Sequence, residues 1–198
     1  MQTIKLFSQY NLDALLIKAR KEIHDQIRQW PDQYFDSGQI QSHINTLKAS
    51  LQLRLPNIDF RNGRQVLVQR VYPLSVFQPG RKNNSKLRVD VLTFHYPAEG
   101  QLYLLGCCPP LDVPDPVGDW YVDPLTKQLT IEYVEYEKHP KKTVAAHQLY
   151  TAELQLCYES LKNEFAMFDK ELDNMIEAAI TERKMEQAEM KRMISFLK

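Results

Sequence analysis

The last 58 residues, 141–198, contain neither glycine nor proline, whereas prolines punctuate the rest of the chain. Proline breaks a helix and glycine weakens one, so their absence leaves this run free to form one long helix. Thr143 is a candidate N-cap. Leu154, Leu161, Phe168 and Met175 are spaced by seven, as are Tyr158, Phe165, Leu172 and Ala179. Together they form a coiled-coil-like seam. Beyond Ala179 its next positions are Glu182, Glu186 and Glu189, and the seam fails. Residues 181–192 are highly charged, and Met193, Ile194, Phe196 and Leu197 form an apolar tip.

Length limits what this helix can do. At ~1.5 Å per residue it runs about 85 Å. A body of the remaining residues has a diameter of roughly 35–40 Å. The helix therefore either breaks, near Asn163 or Asn174, or carries its end beyond the body. Residues 154–179 read as a helix that covers a sheet, with contact to a second chain as the alternative. The tip reads as a frayed terminus or as a docking element.

Two shorter helices come first. Leu12, Leu16, Ala19, Ile23, Ile27 and Trp30 share one face of a helix over about 11–30, ended by Pro31. Ser37 is a plausible N-cap for a second over about 37–53, with Ile40, Ile44, Leu47 and Leu51 as its stripe. The period then changes to two. Residues 64–72, 86–96, 101–107, 120–122 and 128–137 read as strands. In 86–96, Leu87, Val89, Val91, Thr93 and His95 share one face, and Arg88, Asp90, Leu92, Phe94 and Tyr96 the other. In 128–137, Leu129, Ile131 and Tyr133 oppose Thr130, Glu132 and Val134. Short connections imply an antiparallel meander of about five strands.

Composition excludes several classes. No stretch reaches the ~18 apolar residues of a membrane span. The start turns polar too soon for a signal peptide. Cys107, Cys108 and Cys157 are odd in number, and two are adjacent, which suits free thiols in a reducing cytoplasm. The 25 basic residues balance 25 acidic ones, so net charge implies no polyanion partner. Little repulsion between copies also suits a protein that lives in a complex. Charge is nonetheless local. Arg61, Arg64, Arg70, Arg81, Lys82, Lys86 and Arg88 cluster, and Lys138, Lys141 and Lys142 add a second basic group. Such a surface can contact phosphates, although a solvated hairpin loop and ordinary edge-strand charge are the simpler explanation.

Catalytic patterns are sparse. There is no glycine-rich phosphate loop, no nucleophile elbow and no H-E-x-x-H. Cys107-Cys108 lacks the spacing of a zinc pair. His95 and Cys107 would approach if their strands pair, but buried thiols packing as small apolar groups account for the cysteines. Asp119, Asp123, Glu135, Glu137 and Lys138 offer carboxylates for a divalent-metal nuclease. Glu137 and Lys138 are adjacent, however, and so point to opposite faces of a strand. Leu92, Phe94, Tyr103, Trp120, Tyr133 and Tyr136 would line a ligand pocket or, more simply, form the core.

The sequence thus predicts an α+β protein: two N-terminal helices, an antiparallel sheet over about 64–138 and a long amphipathic helix from about 143. One domain would span 1–179, with 180–198 as a charged helical extension. The expected function is a non-enzymatic subunit that binds a partner protein or its own copy through Met185, Met190, Met193, Ile194, Phe196 and Leu197. The alternatives are a nucleic-acid contact by Arg81, Lys82, Lys86 and Arg88, or the nuclease. No cofactor and no metal ligand set are expected.

Overall fold

The computed structural model of the chain describes residues 3–36, 38, 40–77, 85–110, 119–134 and 140–196. In chain order the elements are β1 (Ile4–Lys5), α1 (Leu12–Arg28), α2 (Gln33–Asp36), α3 (Ile40–Leu51), β2 (Asn57–Ile58), β3 (Arg64–Pro73), β4 (Lys86–Glu99), β5 (Asp119–Asp123), β6 (Gln128–Val134) and α4 (Pro140–Phe196). The α+β class and the long final helix agree with the sequence. Among the described residues, no helix is long and apolar enough to cross a membrane.

The chain divides into two compact units. The first comprises residues 1–10 and 55–161. Its six strands run in the order β1-β5-β6-β4-β2, with β3 also paired to β4, and every strand pairing is antiparallel. β4 organises this sheet. One edge holds β6, and the other holds β3 along residues 86–95 and β2 along residues 98–99. Between β2 and β3 the chain turns at Phe60–Asn62, where the Asp59 carboxylate accepts from the backbone N–H groups of Arg61 and Asn62. β5 and β6 are joined through Asp123, whose side chain accepts from Leu125 N at 2.8 Å, as turn chemistry at Asp-Pro predicts.

Alternation divides the sheet into two faces, with the residue sets expected from sequence. Leu92, Tyr96, Leu129, Ile131, Tyr133, Trp120 and Val122 lie in one buried apolar cluster. Leu154 of α4 belongs to it, and Tyr150 and Tyr158 pack against it. Tyr158 donates its hydroxyl proton to the Pro56 carbonyl at 3.1 Å. Of the residues considered as a pocket lining, Leu92, Trp120 and Tyr133 are core, whereas Tyr103 is exposed. Tyr136 lies outside the described residues.

The strand expected at 101–107 is instead a 3-10 turn, Leu102–Gly106. Both edges of β4 are already occupied, so this segment has no ladder to join. Leu102, Leu104 and Leu105 are buried while Tyr103 is exposed, which is not a two-residue period. Cys107 makes an isolated bridge to Tyr10. The pairing that would bring His95 to Cys107 is therefore not made. Burial pushes the Cys107 thiol up to about 11, as suits a packing group rather than a nucleophile.

The second unit comprises residues 11–54 and 162–198. Asn11 caps α1, its side chain accepting from Ala14 N at 2.8 Å. Within this unit α1 runs parallel to α4: Arg20 pairs with Glu171, His24 with Glu182, and Arg28 with Glu182 and Glu186. α3 runs antiparallel to it, with Lys48 on Asp173 and Gln52 on Asp169. Exposed pairs of this kind contribute about 0–1 kcal/mol each. Buried residues carry more, at ~1.5–3 kcal/mol for each large apolar side chain. They are Leu16, Ile23 and Ile27 from α1, Leu47 and Leu51 from α3, and Phe165, Phe168, Leu172 and Ile176 from α4.

α4 is continuous, with no break at Asn163 or Asn174. Its buried residues depart from the seven-residue seam. Cys157 and Ile176 are buried where the seam names Tyr158 and Met175, which are only partly covered. Leu154, Phe165 and Ile176 are spaced by eleven, as are Cys157, Phe168 and Ala179. That is the repeat of a helix at ~3.67 residues per turn rather than 3.5.

Candidate functional site

Opposite the apolar face, the sheet of the first unit carries a polar one. Register places Thr93 between Val66 and Glu132, and His95 between Arg64 and Thr130. Tyr121 lies beyond Thr130 on β5. Thr93, Thr130 and Glu132 are buried, with Glu132 only 3% exposed. A buried carboxylate must be paired and hydrogen-bonded to stay ionised. Glu132 has both partners: the Arg70 guanidinium and the Tyr121 hydroxyl, which donates at 2.8 Å.

The Arg70–Glu132 pair reports the shape of this face. Arg70 lies opposite Val89, and Glu132 opposite Thr93, four residues further along β4 and one strand beyond it. In a flat sheet their Cα atoms would be about 16 Å apart, at ~3.4 Å per residue and ~4.8 Å per strand. Two side chains projecting from a plane do not bridge that gap. The right-handed twist of the strands shortens this diagonal and brings Arg70 to Glu132.

Nδ1 of His95 lies 3.0 Å from the Thr130 hydroxyl. Burial lowers the affinity of His95 for a proton; Glu132 opposes this, and Arg64 and Arg70 reinforce it. Tyr121 is raised above the ordinary phenol range by burial and by its bond to Glu132. The Thr93 hydroxyl is buried and has no hydrogen-bond partner.

On the apolar face, His147 of α4 joins two tyrosines. Its Nε2 lies 2.8 Å from the Tyr96 hydroxyl and its Nδ1 3.1 Å from that of Tyr133. Phe94 stacks on the imidazole at 3.7 Å. Burial lowers the proton affinity of His147 and raises the Tyr133 phenol. This cluster fastens the helix to the sheet.

The residues singled out from sequence fall elsewhere. Met185, Met190, Met193, Ile194 and Phe196 are exposed on α4, and Leu197 lies outside the described residues. Lys86 and Arg88 are exposed at the start of β4, on the opposite face from His95; Arg81 and Lys82 lie outside the described residues. Of the carboxylates considered for a nuclease, Asp119 stands at the start of β5. Asp123 caps its turn, and Glu135, Glu137 and Lys138 lie outside the described residues. Among the described residues no group of three or more His, Cys, Asp or Glu is placed to hold a metal ion.

The end of α4 is the other candidate site. Glu186 bonds Arg28, and Gln187 donates to Asp32 at 2.6 Å. From Ala188 to Phe196 every residue is exposed, with Phe196 at 88%. A helix lying on a surface hides one side, so this segment is uncovered all round.

Comparison with known protein families, with curated proteins and with solved structures finds no match.

Proposed function

We propose that this protein is a non-enzymatic, cytoplasmic subunit that assembles through the end of α4, with a second copy of the chain as its partner. The observation that carries this reading is the fully exposed run 188–196, whose Met190, Met193 and Ile194 follow the i, i+3, i+4 spacing of a docking ridge. Leaving this surface in water is unfavourable, and pairing two copies removes it. A two-fold pair uses the same ridge from both copies and so covers it on each.

Sedimentation of the full chain across a concentration series tests this. The expected result is a monomer–dimer equilibrium, abolished by Met193→Glu with Phe196→Glu while the circular dichroism spectrum stays unchanged. A wild-type chain that remains monomeric throughout the series overturns the reading.

A further inference from the structure

We propose that the polar face of the sheet, centred on Thr93, His95 and Arg64, binds a small ligand bearing an oxyanion, a phosphate or a carboxylate. This site is independent of the assembly reading, since it uses no residue of the α4 end.

The first observation is the Thr93 hydroxyl. It is 1% exposed and has no partner. A buried hydroxyl without a hydrogen bond is costly, and valine would fill the same space without that cost. Thr93 lies at the middle of β4, and its register places it on the polar face beside Glu132. A ligand atom there supplies the missing partner.

The second observation is the charge around His95. Three charged groups act on it: Arg64, Arg70 and Glu132. Glu132 is already bonded to Arg70 and Tyr121, so its charge is matched within the protein. Arg64 stands opposite His95 in register and, among the described residues, forms no ion pair with a carboxylate. It is exposed, as the cation at the mouth of an anion site needs to be. Of the charges that act on His95, one guanidinium is therefore in excess.

The third observation is the donor set. When Thr130 donates to Nδ1 of His95, the neutral ring carries its proton on Nε2. The face then offers the Nε2–H, the Thr93 hydroxyl and the Arg64 guanidinium as donors, with no free carboxylate among them. Glu132, Arg70 and Tyr121 form a fixed floor beside them. A preorganised group of donors of this type suits oxygen atoms of negative charge.

The test follows the His95 ring signals by NMR during titration with inorganic phosphate and, separately, with acetate, at constant ionic strength. His95→Gln assigns the signals. The expected result is a saturable shift with at least one of the two anions, which also tells a phosphate site from a carboxylate site. Arg64→Ala and Thr93→Val each weaken that binding by about tenfold or more. Thr93→Val melts at or above the wild-type temperature, and Thr93→Ser retains binding. No saturable shift with either anion overturns the proposal. Equal affinity in the wild type, Arg64→Ala and Thr93→Val overturns it as well; Arg64 is exposed, so its variant is a test that folding does not confound.

Discussion

His147 is held between Tyr96 and Tyr133, and burial keeps its imidazole below the ordinary value of 6.5. The folded state therefore favours the neutral ring, and the unfolded chain takes up a proton more readily. Its stabilising contribution is complete above the unfolded value and is lost as pH falls from there towards the folded one. His95, also lowered chiefly by burial, acts in the same direction. Urea unfolding at a series of pH values from 8 down to 5 is expected to show stability falling on the acid side, on the order of the linkage for two such groups. His147→Gln should flatten that slope in part, and adding His95→Gln should flatten it further. An unchanged slope in both variants would exclude these residues as its source. Glu132 gives a second measurement at this scale. Arg70→Met strands a buried carboxylate, and the expected loss is about 3 kcal/mol, at the low end because Arg70 is itself 42% exposed. Replacing Glu132 by Met in the same chain should recover most of that loss in urea unfolding.

At the scale of elements, sequence period reveals the faces of β4 and β6 but not how they pair. Thr93 with His95, and Thr130 with Glu132, are legible as faces of their own strands because alternation is strict; the register of β4 on β6 joins them. That Arg70 joins them was not legible, because reaching Glu132 depends on how far the sheet twists. β1 and β2 have two residues each and present no period to read. The 102–106 segment was misread because a short apolar run carries no sign of whether a partner edge is free. In α4 the seven-residue and eleven-residue patterns share Leu154, Leu161, Phe165, Phe168, Leu172 and Ala179, so the sequence permits both. Packing chose the eleven. Gly100, at φ +121° with Pro56 Cα 3.0 Å from where a Cβ would stand, fixes the end of β4. Gly100→Ala is expected to cost about 1–3 kcal/mol in thermal or urea unfolding. Hydrogen exchange should separate the two parts of α4. Amides at 165–180 are expected to be protected, and those at 188–196 to exchange fast in dilute protein and more slowly as concentration rises. Protection of 188–196 that does not change with dilution would argue against the assembly reading.

At the scale of the molecule, the two units interleave along the chain. Residues 11–54 leave the first unit for the second, and α4 contributes to both. A chain ended after Leu161 lacks Phe165, Phe168, Leu172 and Ile176, and leaves α1 and α3 with exposed apolar faces. Such a chain is expected to aggregate. A chain ended after Gln187 keeps the bonds to Arg28 and Asp32, and its melting temperature should match that of the full protein at dilutions where the latter is monomeric. Light scattering and circular dichroism melts of both truncations distinguish these outcomes.

The parallel pairing of α1 with the second half of α4 also bears on synthesis. Arg20, His24 and Arg28 are made long before their partners Glu171, Glu182 and Glu186, with the whole sheet between them in the chain. Contacts so far apart in sequence close slowly, and no stable bundle forms from α1 and α3 alone. On the ribosome these two helices must wait with their apolar faces uncovered while the whole sheet is made. They are the segment of this nascent chain with the longest need of a chaperone.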